Sequence, residues 1–391
     1  MKRAIPFFVF VLFASFLTPW CINTASAQFP IGHTTLTFTD PSRSNREIPC
    51  EVYYPAVVAG DDQPVHAPLG SEQYPVVVFG HGFVMGVDAY GYLQNALAAE
   101  GYIAVFPSTE TGFAPNHTEF AKDLAFAALS MIDQSNSAAS IFHQRVSGYM
   151  ASMGHSMGGG AAMLSFQYNP DFKTVFTLAA AETNPSAVSA ATGITVPLVY
   201  MVGDNDCITP LADHQLPMYN AGSTCRFLVN VDEGTHCQFS SGNFACETGE
   251  TLTGCADGVA EATQHNIVLQ WLLPWLDLHL RNNVSVAATI NALVGTPVGY
   301  TVLDACTNLN TTEPKQTGFN VSPNNDGSYN VSLKDATLLN TTYALMGTDG
   351  KTISTGTFIQ SNTTLDTNGL ANGVYLLQPA AGRAIKLVVA R

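Results

Sequence analysis

From Tyr74 onward, short continuous apolar runs alternate with stretches of helical character. The runs are Val76–Phe79, Tyr102–Phe106, Tyr149–Met153, Val175–Leu178, Leu198–Val202 and Arg226–Val231. A strand with one face in water alternates apolar and polar residues. A run that is apolar at every position suits a strand covered on both faces, as in a parallel sheet between helical layers. The pattern therefore predicts an α/β fold with a mostly parallel central sheet and helices on both faces. The Leu- and Trp-rich segment His265–Leu280 predicts a closing helix packed on that sheet.

After Cys306 the pattern changes to brief alternating runs in Asn, Thr, Gly and Ser-rich sequence, punctuated by turn signals. Asn325-Asp326-Gly327 precedes Tyr329–Leu333, Asp349-Gly350 follows Tyr343–Met346, and Asn372-Gly373 precedes Val374–Leu377. Residues 314–391 read as a small all-β sandwich joined by a linker at 307–313, and they contain neither His nor Cys. A carbohydrate-binding or adhesive β-module is the plain reading of such a tail. The 391-residue length agrees with one large domain, expected over 28–306, and a second small one.

The first residues carry a different signal. Met1-Lys2-Arg3, an apolar run from Phe7 to Leu17 and Ala25-Ser26-Ala27 before Gln28 have the three-part layout of a secretory signal peptide, expected at 1–27. The run is shorter than the ~20 residues needed to cross a bilayer, so no membrane span is expected. Of the eight cysteines, Cys21 would leave with the signal. The odd remainder would enter a compartment where disulfides persist, leaving at least one thiol without an internal partner. Acidic residues outnumber basic ones 30 to 15, which is no footprint for nucleic acid. No CxxC zinc pattern is present, and no metal or organic cofactor is implied.

The candidate chemistry begins at Gly154-His155-Ser156-Met157-Gly158, a GxSxG pentapeptide. Its glycines permit a tight strand-to-helix turn that lifts the serine hydroxyl. The apolar run Tyr149–Met153 leads in, and Gly159 to Leu164 continue as a helix of small and apolar residues, whose N-terminus would face a developing oxyanion. A serine nucleophile needs a base, and the base needs an orienting carboxylate, in the chain order serine, acid, histidine. Asp206 lies just past the run Leu198–Val202, where loops leave the carboxyl edge of a parallel sheet. Asp204 is the competing carboxylate and Asp232 a weaker one. His236, in a loop after what reads as the last strand, is the best-placed histidine; His214 is the reserve, and His265 and His279 read as surface or packing residues. Two N–H donors should form the oxyanion hole, from Met157 and from Phe83 in the turn Gly80-His81-Gly82-Phe83. The Phe83 ring is expected to wall the acyl site, against the alternative that it packs in the core.

The blocks Tyr74-Pro75-Val76-Val77-Val78 to Gly82-Phe83, Ser156 to Gly160, Val196-Pro197-Leu198 to Asn205-Asp206 and Gly234-Thr235-His236 together resemble the α/β-hydrolase branch of cutinase-like polyester (PET) hydrolases. Dienelactone-hydrolase-like and chlorophyllase-type esterases lie nearby. The resemblance implies an α/β-hydrolase fold and a serine carboxylesterase acting on small or polymeric esters through an acyl-enzyme. A lipase, a chlorophyllase-like esterase and an inactive cell-surface binding protein are the alternatives. His155 suits that branch, which carries Trp or His before the nucleophile, and is assigned to substrate binding. The branch's aromatic clamp contains a Trp where this chain reads Ala179-Ala180-Ala181-Glu182-Thr183-Asn184-Pro185. An aromatic polymer would lose a stacking surface there, so ordinary esters match better.

Cys207 follows Asp206 and Cys237 follows His236. If the two loops meet, a Cys207–Cys237 disulfide would hold the acid and base, and Cys246 with Cys255 would close a local loop. Only about eighteen residues separate Leu178 from Pro197, too few for a helical cap, so an open site is expected, with 237–261 covering one side.

The tail resembles the C-terminal sorting domain of type IX secretion. The features are Val321-Ser322-Pro323-Asn324 with Gly327, Tyr343-Ala344-Leu345 with Asp349-Gly350-Lys351, Leu370 to Tyr375, and Lys386-Leu387-Val388-Val389. The resemblance implies that the secretion machinery is a partner and that the destination is the cell surface or the medium.

Overall fold

A computed structural model describes residues 28–66, 73–306, 319–324, 328–333, 338–347, 351–371, 373–379 and 385–389. The expected signal peptide with Cys21, the linker at 307–313, the Asn325-Asp326-Gly327 and Asp349-Gly350 turns, and Asn372 lie outside the described residues. The chain divides into two compact units, Met1–Val286 with Ala292–Ala305, and Ala287–Asn291 with Cys306–Arg391.

The first unit is built on ten strands: β1 (Ile31–Asp40), β2 (Arg46–Pro55), β3 (Gly60–Asp61), β4 (Tyr74–Gly80), β5 (Ile103–Pro107), β6 (Val146–His155), β7 (Phe172–Leu178), β8 (Leu198–Gly203), β9 (Arg226–Val231) and β10 (Tyr300–Asp304). Their spatial order is β10-β9-β8-β7-β6-β4-β5-β2-β1-β3. From β5 to β9 all neighbours run parallel, whereas β2, β1 and β10 join antiparallel. The helices of this unit are α1 (Gly91–Ala99), α2 (His117–Asn136), α3 (Met157–Ser165), α4 (Ala187–Ala191), α5 (Gln215–Ala221), α6 (Phe244–Thr253) and α7 (Glu261–Leu280). α1 packs with α7, and α2 to α5 pack successively on one another, so two helical layers cover the sheet. This is the α/β-hydrolase fold.

All six apolar runs are strands, and β4, β5 and β8 are buried at every position. The closing helix starts at Glu261, one turn before the expected His265. Its Trp271 and Trp275 are fully buried, with ring centroids 5.4 and 5.7 Å from Phe227 of β9. β9 is not the last strand of the sheet, because β10 pairs with it at the edge. β10 is five residues long and mostly exposed, so it leaves little hydrophobic pattern.

β1 and β2 form a hairpin whose turn is pinned by charge. The Asp123 carboxylate of α2 is fully buried and accepts from Arg43 Nη1 at 2.6 Å, Arg46 Nη2 at 2.6 Å and Thr109 Oγ1 at 2.7 Å. A buried carboxylate costs several kcal/mol unless it is paired and hydrogen-bonded. Two guanidinium groups and a hydroxyl meet that need and fix the start of the loop after β5. Glu110 secures the same loop by accepting from Arg46 Nη2 at 2.7 Å and from the Asn116 N–H at 2.6 Å.

The second unit contains two antiparallel sheets. One orders β11 (Phe319–Pro323), β12 (Tyr329–Leu333) and β15 (Asn362–Leu365); the other orders β14 (Thr352–Thr357), β13 (Thr342–Gly347), β16 (Gly373–Pro379) and β17 (Ile385–Val389). Val331, Leu338, Leu345, Phe358, Leu365, Leu377 and Leu387 form its core, as expected of a small β-sandwich.

Candidate active site

Parallel strands deliver their C-terminal ends to one edge of a sheet, and the loops leaving that edge can converge. The loop after β4 carries Phe83, that after β6 Ser156, that after β8 Asp206 and that after β9 His236.

Ser156 has φ 55° and ψ −122°, a backbone conformation that L-residues rarely adopt. It is held there because β6 turns into α3 with no spare residue, and the Ser156 N–H donates to the Leu178 carbonyl at 2.9 Å. The glycines of the pentapeptide make the turn sterically possible. A Cβ on Gly154 would strike the Gly158 carbonyl, and one on Gly158 would strike the Gly80 carbonyl. The serine is nearly buried, at 7% exposure.

Asp206 and His236 meet as expected from sequence, with Asp206 Oδ2 2.8 Å from His236 Nδ1 and both side chains buried. The other carboxylate oxygen accepts from the backbone N–H groups of Ile208 at 2.9 Å and Thr209 at 2.8 Å. Burial alone would push the Asp206 carboxyl up. The His236 charge and hydrogen bond, with the Thr209 N–H and hydroxyl, outweigh it and hold the group below the ordinary carboxylate value. The acid is therefore ionised, and it fixes the His236 tautomer by accepting from Nδ1–H, which leaves Nε2 as the basic nitrogen. No hydrogen bond joins Ser156 Oγ to His236 among the described residues; such contacts are often long before substrate binds.

The competing residues stand elsewhere. Asp204 is exposed, and its N–H donates to the Val231 carbonyl at 3.1 Å. His214 Nδ1 accepts from the Glu182 N–H at 2.9 Å. His265 stacks on Tyr92 with centroids 3.6 Å apart, and His279 packs edge-on to Trp275 at 4.2 Å, so both are packing residues. Burial lowers His279 to about 4.

Met157 opens α3, where a first-turn N–H has no intrahelical partner, and Phe83 lies in the turn between β4 and the 3-10 helix Val87–Tyr90. Neither backbone N–H donates a hydrogen bond among the described residues. The Phe83 ring is 48% exposed, which excludes the core-packing alternative. It lies edge-on to Phe113, 6.4 Å away and 86% exposed, which projects from the anchored loop after β5.

Three sequence expectations are corrected. His155 does not face a substrate: it is fully buried, with Nδ1 3.0 Å from the Tyr90 hydroxyl and Nε2 3.1 Å from the His236 carbonyl. It is the last residue of β6, and its ring centroid lies 4.7 Å from that of His236. Burial, reinforced by the neighbouring His236, pushes its pKa well below the ordinary histidine value, so it is neutral. Neither Cys207–Cys237 nor Cys246–Cys255 forms; the disulfides are Cys207–Cys255 and Cys237–Cys246. The sequence shows cysteines beside both candidate residues but not that the 237–261 insert folds back between their loops. Cys225 and Cys306 are also disulfide-bonded, and Cys50 is a buried free thiol.

Sequence reading missed Thr209 and Tyr90. The Thr209 hydroxyl lies 2.8 Å from Asp206 Oδ2, 3.1 Å from His236 Nδ1 and 3.1 Å from the Ala179 carbonyl, and accepts from Gln215 Nε2 at 3.1 Å. A threonine three residues after an acid is the only signal for it. The Tyr90 hydroxyl accepts from the Gly82 N–H at 2.9 Å, linking the Phe83 loop to His155. Among the described residues no cluster of three or more His, Cys, Asp or Glu could hold a metal ion, and no helix is long and apolar enough to cross a membrane.

The family described as PETase, PET hydrolase-like, matches residues 53–252, just over half of the chain. The chain belongs to this family. The matched span of this PET hydrolase-like protein holds Ser156, Asp206 and His236 and ends inside α6. Cutinase 1 of Thermobifida cellulosilytica is 29% identical over 175 residues, covering 44% of this chain and 64% of the relative. A cutinase of Thermobifida fusca (strain YX) is 29% identical over 175 residues, covering 44% and 56%. A bis(hydroxyethyl) terephthalate hydrolase of Streptomyces coelicolor is 25% identical over 172 residues, covering 44% and 53%. The chain thus spans less than two thirds of the length of these curated relatives.

Proposed function

We propose that this protein is an exported serine carboxylic-ester hydrolase that works through an acyl-enzyme. Ser156 Oγ attacks the ester carbonyl while His236 Nε2 accepts its proton, and Asp206 orients and stabilises the resulting imidazolium. The Met157 and Phe83 N–H groups, free of other partners, donate to the tetrahedral oxyanion. His236 then protonates the departing alcohol, and water, activated by the same imidazole, releases the acid and restores Ser156. The observation that carries this reading is the buried Asp206–His236 pair on the sheet edge where the Ser156 turn is held in its strained conformation.

Short and medium acyl esters, and polyesters, are the proposed substrates. The family match and the cutinase and terephthalate-hydrolase relatives support the polymer reading. Phe83 and Phe113 offer aromatic surface where the Ala179–Pro185 stretch carries no Trp. Residues 1–27 would direct export, and the β-sandwich tail would serve as the type IX sorting domain. The disulfides suit an oxidising destination.

The test compares the wild type with Ser156→Ala on short- and long-acyl nitrophenyl esters and on polyester film. Rates for the variant should fall by about 10⁴-fold or more. Equal turnover by both would reject the serine mechanism, and an inactive wild type on film with strong short-ester activity would reject the polymer substrate.

A further inference from the structure

α6 has no packing reason to be where it is. None of its ten residues is buried, and Phe244 and Leu252 are each 82% exposed. An isolated helix of this length is marginal in water, and protein helices normally persist by burying an apolar face. The bonds at its two ends take that role. Cys246, in its first turn, is joined to Cys237, the residue after His236. Cys255, just past its Gly254 C-cap, is joined to Cys207, the residue after Asp206.

The covalent path therefore runs from Asp206 through Cys207–Cys255, along α6, and through Cys246–Cys237 to His236. Hydrogen bonds reinforce both junctions. Glu250 Oε1 accepts from the Cys237 N–H at 2.8 Å, and Asn205 Nδ2 donates to the Asp257 carbonyl at 2.9 Å.

We propose that α6 is a strut whose two disulfides set the distance between the Asp206 and His236 loops, making Cys207, Cys237, Cys246 and Cys255 positioning residues for the acid and base. This rests on the triad reading above. A strut acts in series, so cutting either end releases both loops, and cutting the second end adds nothing. Two independent local staples would instead give losses that multiply.

In the full chain, kcat and KM on a nitrophenyl butyrate ester, with deuterium uptake over 206–209 and 235–239, are compared among variants. These are Cys207→Ala/Cys255→Ala, Cys237→Ala/Cys246→Ala, all four together, and Thr251→Pro, which breaks the exposed helix while keeping both disulfides. Each pair should lower kcat about tenfold with KM within about twofold and speed exchange in both segments, since small misplacements of catalytic groups act on turnover. The fourfold variant should lose no more than either pair, and Thr251→Pro should match them. Phe142→Leu, in the core before the start of β6 and away from both loops, should lower the melting temperature and leave kcat unchanged, separating positioning from general stability.

Losses that multiply to about a hundredfold, unchanged kcat in either pair, or full activity in Thr251→Pro would each overturn the strut. If the cysteine variants fail to fold, Thr251→Pro decides alone. An absence of ester hydrolysis in the wild type would sink the triad reading instead. The strut would then stand or fall on exchange, and uptake in one segment alone after cutting a pair would remove it.

Discussion

Replacing Thr209 with Val removes one hydroxyl from beneath the candidate acid and nearly preserves volume. The residue is 3% exposed, so no water replaces the lost group at once. Its single proton lies between Asp206 Oδ2 at 2.8 Å and the Ala179 carbonyl at 3.1 Å. The charged acceptor is closer and the better partner. Gln215 Nε2 keeps its 2.8 Å bond to the Ala180 carbonyl, so the neutral part of the network survives. Asp206 keeps His236 and the two backbone donors but loses one of the groups that depress its pKa. A hydrogen bond to a charged group contributes about 1.5–3 kcal/mol, so a loss of about 2 kcal/mol at pH 7 is expected.

The pH dependence gives the sharper check. Asp206 has a folded pKa below its unfolded value, so its charge-linked stability is full above the unfolded carboxylate pKa and is lost as pH falls through the folded one. The Val variant raises the folded value toward the unfolded one. The stability gap between wild type and variant should therefore be widest at neutral pH and narrow steadily below about pH 4. Urea unfolding of both proteins from pH 7 down to pH 3 measures it. An equal gap at every pH would mean that the hydroxyl serves only the Ala179 and Gln215 contacts, and no gap at all would refute the assigned donor.

Tyr90→Phe removes the hydroxyl shared by the Gly82 N–H and His155 Nδ1, leaving two buried groups without it. Stability should fall by about 1–3 kcal/mol, with a lower kcat as the Phe83 loop loosens, read by calorimetry and steady-state kinetics. Phe113→Ala removes an exposed ring, so the melting temperature should stay within error. KM for an aromatic acyl ester should rise a few-fold, about 1 kcal/mol, while that for an acetate ester stays constant; equal changes on both would remove Phe113 from the substrate path.

Much of the first unit was legible in the chain because its strands are buried on both faces. Continuous runs such as Val76–Phe79 and Leu198–Val202 have no other stable use at that length, and parallel strands put Asp206, His236 and the Ser156 turn on one edge. β1, β2 and β10 were not read, because partly exposed positions interrupt their buried ones and dilute the apolar pattern. GxSxG, set between the apolar run Tyr149–Met153 and a helix of small residues, located the turn, since only glycine fits beside the Gly80 and Gly158 backbones. The tertiary structure decided what depends on groups remote in sequence. Proximity of cysteines to Asp206 and His236 suggested a direct bridge, but only the path of the insert shows that α6 stands between them. Adjacency to Ser156 placed His155 in the substrate site, yet its side chain is fully buried and closed in by the Tyr90 hydroxyl and the His236 carbonyl. Sequence fixes which groups can do chemistry, because residue type sets protonation and nucleophilicity. Their partners are set by packing between distant segments, which no local pattern encodes.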